Sequence, residues 1–242
     1  MPTVAELTAL YSNFLLNPRP GIDVCRYCFN LTDGFELCYA CAHQEACAET
    51  FAPISYSPSG GQLHHALAQY KRMAGSAARR LEIGLAAVLW RFLERHERCV
   101  ALAAGLERFE KVTIVPSSDE RRHGETHPLC RIVGETVSPT RSRYARLLAR
   151  STKAITGRLF DPERFVPTRT LSGESVLLID DTWTTGSHAQ SAAAALRRAG
   201  AGTVAVVVIG RHINLEWRRN DRRLRRIPRP FDWSRCALCA LG

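Results

Sequence analysis

The sequence predicts an α/β chain, a mostly parallel sheet flanked by helices, with a small four-cysteine zinc module ahead of it. Three observations carry that expectation. Short apolar runs at 112–115, 175–179 and 203–209 are bounded by turn residues, the pattern of strands buried on both faces of a parallel sheet. Between the second and third runs lies an alanine-rich stretch, 189–199, closed by Gly200 at the position of a helix C′ glycine, so strand, helix and strand follow as a βαβ unit. Two Cys-x-x-Cys pairs, Cys25/Cys28 and Cys38/Cys41, precede all of this.

At the N-terminus Thr3 and Glu6 have capping-box spacing, and Val4, Leu7, Leu10, Phe14 and Leu15 recur at a helical period, so a short amphipathic helix opens the chain. Nine residues separate Cys28 from Cys38, and two such knuckles are able to close a tetrahedral four-thiolate site for structural Zn²⁺. A redox dithiol or unliganded cysteines are the competing readings, but two pairs at this spacing favour metal. Structural zinc contributes on the order of 10 kcal/mol of apparent folding free energy, which so short a segment cannot draw from a core of its own. A closed site has no open coordination position, so no catalysis is assigned to it. A third pair, Cys236/Cys239, is open to three arrangements: a second partial site, a bridge between two chains, or a replacement for one N-terminal pair if the termini meet. Cys47, Cys99 and Cys130 read as ordinary thiols.

The Pro/Ser/Gly stretch 53–61 places a boundary near residue 55, dividing a helix and zinc module, 1–55, from an α/β domain with a basic C-terminal segment, 56–242. Helical patterns follow at 64–73 and from 76 to 106, with Gly75 at the break, and again at 129–135 and 141–150.

Composition bounds the class. With 242 residues, 45% of them apolar, the chain can bury a sizeable core. No apolar run approaches the roughly 20 residues of a membrane span, and the first residues lack the pattern of a signal peptide. A cytoplasmic protein without a membrane span is expected, in which metal binding accounts for the nine cysteines better than disulfides do. The net charge of +10 is concentrated near the C-terminus, where nine arginines between Arg211 and Arg235 face Glu216, Asp221 and Asp232. Such a field suits polyanions, either phosphate-rich small molecules or single-stranded DNA; a solvated arginine face is the alternative.

The chemistry is densest at 176–187, Val-Leu-Leu-Ile-Asp-Asp-Thr-Trp-Thr-Thr-Gly-Ser. It puts Asp180 and Asp181 at the carboxyl end of a buried strand, the edge at which open α/β sheets bind ligands. The helix that follows offers exposed N–H groups and the positive end of its dipole to a phosphate. Gly186 lets the backbone approach it, and Thr184, Thr185 and Ser187 add donors. Two adjacent acids suit vicinal sugar hydroxyls rather than the phosphate. Earlier in the chain, the strand at 112–115 delivers Pro116, Ser117 and Ser118, with Arg121 and Arg122 just beyond, a turn suited to a diphosphate because guanidinium binds phosphate oxygens bidentately. Residues 123–128 read as a candidate lid.

The run Asp180-Asp181-Thr182-Trp183-Thr184-Thr185-Gly186 resembles the phosphoribosyl pyrophosphate (PRPP) binding motif of type I phosphoribosyltransferases. The resemblance implies that fold, ribose contacts and a catalytic role for Asp180 and Asp181, and a 5-phosphate wrapped by Thr182, Trp183, Thr184, Thr185, Gly186 and Ser187. It also implies pyrophosphate contacts from Ser117, Ser118, Arg121 and Arg122, and Mg²⁺ bound with PRPP. Trp183 and His188 depart from the small aliphatic and the Thr or Ser usual at those places. With the cysteine module, Gln69-Tyr70-Lys71 and Val115-Pro116 in the same order, nearly the whole chain resembles the ComF family, which has that fold with a zinc finger and is associated with DNA uptake. Its usual Arg-Gly-Phe-Asn-Gln stretch is here Arg122-His123-Gly124-Glu125-Thr126. The resemblance implies either phosphoribosyl transfer to an unknown nitrogen acceptor or PRPP binding without turnover, coupled to single-stranded DNA or nucleotide status.

Overall fold

The computed structural model describes residues 2–117, 127–153, 155, 157, 159–217 and 219–239. Helix α1 (Val4–Ser12) starts on the expected capping box, Glu6 N donating to Thr3 Oγ1 (3.2 Å) and Thr3 N to Glu6 Oε2 (2.7 Å). Its buried residue is polar: Thr8 accepts from Arg91 (2.6 Å) of α4 (Gly75–Ala103), whereas Leu10 is exposed.

After the cysteine segment, with its short helix α2 (Tyr39–Ala42), the structure departs from the sequence reading. Residues 53–61 are no linker, because strand β1 (Thr50–Pro58) runs through most of them. It pairs with β6 (Thr203–Ile213) from Thr50↔Ala205 to Pro58↔Ile213, and it is buried along nearly its whole length. Pro53 has no N–H for a ladder and is tolerated because β1 is an edge strand. The boundary near 55 therefore falls inside the sheet. Cys25, Cys28 and Cys38 share one buried cluster with Phe51 and Ile54 of β1, so the module is part of the core rather than an appendage.

Among the described residues the main sheet has four parallel strands in the order β1-β6-β5-β2, with β2 spanning Lys111–Ile114 and β5 spanning Ser175–Trp183. Both central strands are sealed: Val176–Ile179 and Val204–Ile209 are inaccessible to solvent, and each such side chain contributes about 1.5–3 kcal/mol on burial. Helices α3 (Gln62–Gln69) and α4 pack on β1 and β6, and α7 (Ser187–Arg198) packs on β5 and β6, completing the expected βαβ unit.

Residues 128–150 are less helical than their pattern suggests. Helix α5 (Pro128–Arg131) continues as one π-helical turn (Ile132–Thr136), and α6 (Ser138–Arg141) stops where a helix over 141–150 was expected. Tertiary hydrogen bonds take over there. Arg143 chelates Glu97 (2.6 and 2.8 Å) and the carbonyls of Phe109 and Pro139, and Ala145 N donates to Val112 O (2.9 Å). Strands β3 (Leu148–Arg150) and β4 (Phe165–Pro167) then form a small antiparallel pair, and α8 (Asn220–Arg225) lies beyond β6.

Candidate functional site

Because β2 and β5 are parallel neighbours in the register Ile114↔Ile179, the loops leaving them emerge at one edge of the sheet. Together with the end of α3 they enclose an open cleft of about 460 Å³. Residues 180–187 form one wall; Lys71, Arg72 and Ser117 also line it.

The two acids divide. Asp181 is buried, accepts a hydrogen bond from the Tyr70 hydroxyl (2.5 Å) and is ion-paired with Lys71. Burial by itself raises its pKa, but the Lys71 ammonium and the hydrogen bonds from Lys71 and Tyr70 outweigh that and hold it below the ordinary carboxylate range. Tyr70, fully buried beside that carboxylate, is pushed well above a normal phenol and stays a donor. Asp180 is half-buried at the cleft and accepts from Asp181 N (2.8 Å). Burial first, and then the neighbouring carboxylate, push its pKa up to about 8. Among the described residues it is Asp181 that holds the Lys71 ion pair, while at Asp180 the same ammonium only partly offsets the upward shift.

The loop that follows meets α7 at Gly186, whose φ of +86° is left-handed. Thr182, Thr184 and Thr185 line the cleft; Thr185 Oγ1 donates to Ser187 Oγ (3.1 Å) at the start of α7. Trp183, expected among the phosphate contacts, is also among the residues lining the cleft, while its ring is buried under the loop, 4.2 Å from the Phe51 ring and 6.3 Å from that of Tyr27. The large residue at this position fills the space between the loop and β1. It also explains the glycine a second time, since a Cβ at Gly186 would stand 2.1 Å from Trp183 Cζ2. Gly186→Ala is therefore expected to cost about 2–4 kcal/mol, from a left-handed non-glycine residue plus forced displacement of the indole. Thermal unfolding measures it, and a stability equal to wild type would show that the ring moves freely.

The loop is held from below by Arg211 on β6, a fully buried residue. Its Nη1 donates to the carbonyls of Trp183 (3.2 Å), Thr184 (3.1 Å) and His212 (2.6 Å), its Nε to Cys28 O (2.9 Å) and its Nη2 to Cys28 Sγ (3.4 Å). The cysteine module and the cleft wall are thus joined through one guanidinium. Gln190 of α7 adds a second tie, accepting from Cys47 N (2.8 Å) and donating to the Tyr27 hydroxyl (2.7 Å).

Cys25, Cys28, Cys38 and Cys41 converge, their sulfurs all within 4.8 Å of one another, as a four-thiolate Zn²⁺ site requires. Of the expected pyrophosphate contacts, Ser117 lines the cleft; Ser118, Arg121 and Arg122 lie outside the described residues, as does the candidate lid up to residue 126. His127 at its end is buried and caps α5, accepting from Leu129 N (3.2 Å). His188 lines the cleft with its ring edge-on to Phe165. In the arginine-rich segment, Arg211 is internal and Arg223 pairs with Asp23 and Asp33, whereas Arg219, Arg222, Arg225, Arg226 and Arg229 are exposed with Trp217.

Sequence reasoning missed Arg211 and Arg72 as parts of this site and gave Tyr70 and Lys71 no role. A lysine and tyrosine next to each other signal little until the fold brings them onto Asp181. Arg211 ends a valine-rich strand, and an arginine interrupting so apolar a run was a usable sign of a buried, bonded guanidinium.

Fold and site define a class: an α/β protein with a polar cleft at the carboxyl edge of a parallel sheet, its wall running into a helix N-terminus and tied to a four-cysteine cluster. No family model, curated protein or solved structure matches the chain. No helix among the described residues is long and apolar enough to cross a membrane.

Proposed function

We propose that the chain is a type I phosphoribosyltransferase-like protein of the ComF kind that binds PRPP in this cleft and transfers its 5-phosphoribosyl group to a nitrogen acceptor. The observation that carries the reading is that a carboxylate, Asp180, and the N-terminus of α7, one loop further on, line the same cleft. Backbone N–H groups at 184–187 and the hydroxyls of Thr184 and Thr185 hold the phosphate. Asp180 accepts hydrogen bonds from the ribose hydroxyls. Lys71 and Arg72, with Ser117 on the facing loop, place cationic and hydroxyl donors where the pyrophosphate leaves. The bond from C1′ to the pyrophosphate oxygen breaks with both electrons leaving on oxygen, the acceptor nitrogen bonds to C1′, and the nitrogen's proton passes to solvent. The chain's contribution is positioning and charge neutralisation, with no protein nucleophile. Mg²⁺, carried in with PRPP, supplies charge neutralisation of the diphosphate, and Asp180 is the lining carboxylate available to it. Zn²⁺ at the four cysteines is structural.

Calorimetry with PRPP tests the reading, beside pyrophosphate release on a panel of nucleobases. Unliganded Asp180 stays largely protonated until the pH passes about 8, and ribose hydroxyls donate best to the carboxylate, so binding expels a proton at neutral pH. Affinity is expected to rise from pH 6 to pH 8 by up to about tenfold per unit and then level off. Asp180→Asn flattens that profile relative to wild type, whereas the titration of the ligand's own phosphate acts on both proteins alike. A sloping profile unchanged in the variant removes Asp180 from ligand binding. The sign for folding is the reverse: with a folded pKa above the unfolded 3.8, the group's stabilising contribution is largest below 3.8 and is lost as the pH rises through about 8.

PRPP binding without turnover on any acceptor leaves the second reading, a nucleic-acid-associated PRPP binder. What favours it is the exposed group Arg219, Arg222, Arg225, Arg226 and Arg229 with Trp217, a backbone-tracking surface for single-stranded DNA.

A further inference from the structure

We propose that His96, Cys99, Cys236 and Cys239 form a second zinc site, which fastens the C-terminal segment to the long helix α4. Their ligating atoms all lie within 4.8 Å of one another. Cys236 Sγ and Cys239 Sγ are 3.2 Å apart, Cys99 Sγ and Cys239 Sγ 3.5 Å, and His96 Nδ1 stands 3.5 Å from Cys239 Sγ and 3.8 Å from Cys99 Sγ. With Zn–S near 2.3 Å and Zn–N near 2.05 Å, the edges of a tetrahedral site measure roughly 3.8 Å between sulfurs and roughly 3.6 Å from nitrogen to sulfur. These four separations lie within about 0.6 Å of those edges, and the remaining two are within 4.8 Å.

The imidazole is also oriented for a metal. His96 Nε2 lies 3.0 Å from the Trp233 carbonyl, an acceptor that places the proton on Nε2 and leaves Nδ1, the nitrogen facing the thiols, as a lone-pair donor. Cys236 N donates to Cys239 Sγ (3.4 Å); the first cluster also has a backbone-to-sulfur bond within a knuckle, in the opposite chain order, from Cys28 N to Cys25 Sγ (3.5 Å). His96 and Cys99 are three residues apart and so share a face of α4, while Cys236-x-x-Cys239 supplies a knuckle from the far end of the chain.

The cluster bears on two expectations from the sequence. Cys99, read as an ordinary thiol, belongs to a cluster, and of the three arrangements open to Cys236 and Cys239 the structure favours a second site, completed by α4 rather than by the first module. A histidine and a cysteine 140 residues upstream carry no local signal that they are partners.

The metal gives a short segment an anchor its own packing supplies only in part. Residues 231–238 cross α1 and α4: Phe231 N donates to Ser12 O (2.8 Å), Trp233 Nε1 to Ser12 Oγ (2.8 Å), and the Arg91 guanidinium lies 4.5 Å from the Trp233 ring centroid. Asn17 closes the other side, its amide donating to Asp232 O (2.9 Å).

Zinc analysis of the purified full chain, wild type and Cys236→Ser/Cys239→Ser, tests the proposal. Wild type is expected to carry about two zinc per chain and the variant about one, since each closed site holds a single ion. The remaining ion reports the first cluster, so a failure of that site cannot be mistaken for a failure of this one. Equal zinc in wild type and variant overturns the proposal. So does a Cys236–Cys239 disulfide, recognised when both thiols of the unreduced, unfolded chain resist alkylation. Should the variant not fold, X-ray absorption at the zinc edge of wild type decides: seven sulfurs and one imidazole nitrogen shared between two ions are expected from the two ligand sets. An all-sulfur shell excludes His96 and overturns the site.

Discussion

Asp180→Asn is expected to weaken PRPP binding by about 10²-fold, on the order of 3 kcal/mol, the loss of a charged acceptor shared by two hydroxyls. Thermal unfolding should hold or rise slightly, because burial disfavours the charge that the substitution removes. Asp181→Asn should behave in the opposite way. It strips Lys71 of its ion pair and leaves Tyr70 and Lys71 to share a single neutral amide oxygen, and it should cost about 1–3 kcal/mol of stability, with weaker binding as a consequence of a displaced wall. The two acids, adjacent in sequence and interchangeable there, thus separate into a ligand-facing group and a structural one. Calorimetry paired with thermal melts distinguishes them. Loss of binding in Asp181→Asn at unchanged stability, with Asp180→Asn binding normally, would exchange the roles.

The largest effect on stability is expected at Arg211. Arg211→Met leaves the carbonyls of Cys28, Trp183, Thr184 and His212 without their donor and should cost about 3–5 kcal/mol, as removing one member of a buried charged network does. For a chain of this size that lowers Tm by roughly 6–20 °C. Arg211→Lys should recover little of it, since one ammonium cannot reproduce a planar fork that serves two loops at once. Because the same guanidinium touches Cys28 and the loop at 183–184, the variant should lose both zinc retention and PRPP affinity. A Tm within 2–3 °C of wild type, about 1 kcal/mol, would mean that the loop holds itself and that the cysteine module is mechanically independent of the cleft.

The parts of the fold legible in the sequence were those specified by near neighbours. The capping box at Thr3 and Glu6 formed because both partners lie within one turn. The runs at 112–115, 175–179 and 203–209 became strands because apolar residues so closely spaced have to be buried on both faces. The four-cysteine cluster was readable for the same reason: its spacing is its geometry. The strand at 50–58 was missed because proline and serine mark turns locally, and nothing local reveals that a strand will lie at a sheet edge, where Pro53 is harmless. The helix expected over 141–150 was lost to hydrogen bonds from Arg143 to Glu97, Phe109 and Pro139 that no periodicity records.

In the candidate site the division is the same. The sequence alone determined that Asp180 and Asp181 follow a buried apolar run and that a helix begins shortly after them, although the strand runs on to Trp183 and the helix opens at Ser187, beyond the 175–179 and 189–199 that the pattern marked. The tertiary structure decided everything that needs a partner far along the chain: that Asp181 belongs to Tyr70 and Lys71, that the Trp183 ring lies under the loop, that Arg211 ties the cleft wall to Cys28, and that Cys99 meets Cys239. Hydrogen-bonding and ligating side chains act over about 3–4 Å, whereas these partners are tens to more than a hundred residues apart, so only the closed sheet brings them within reach.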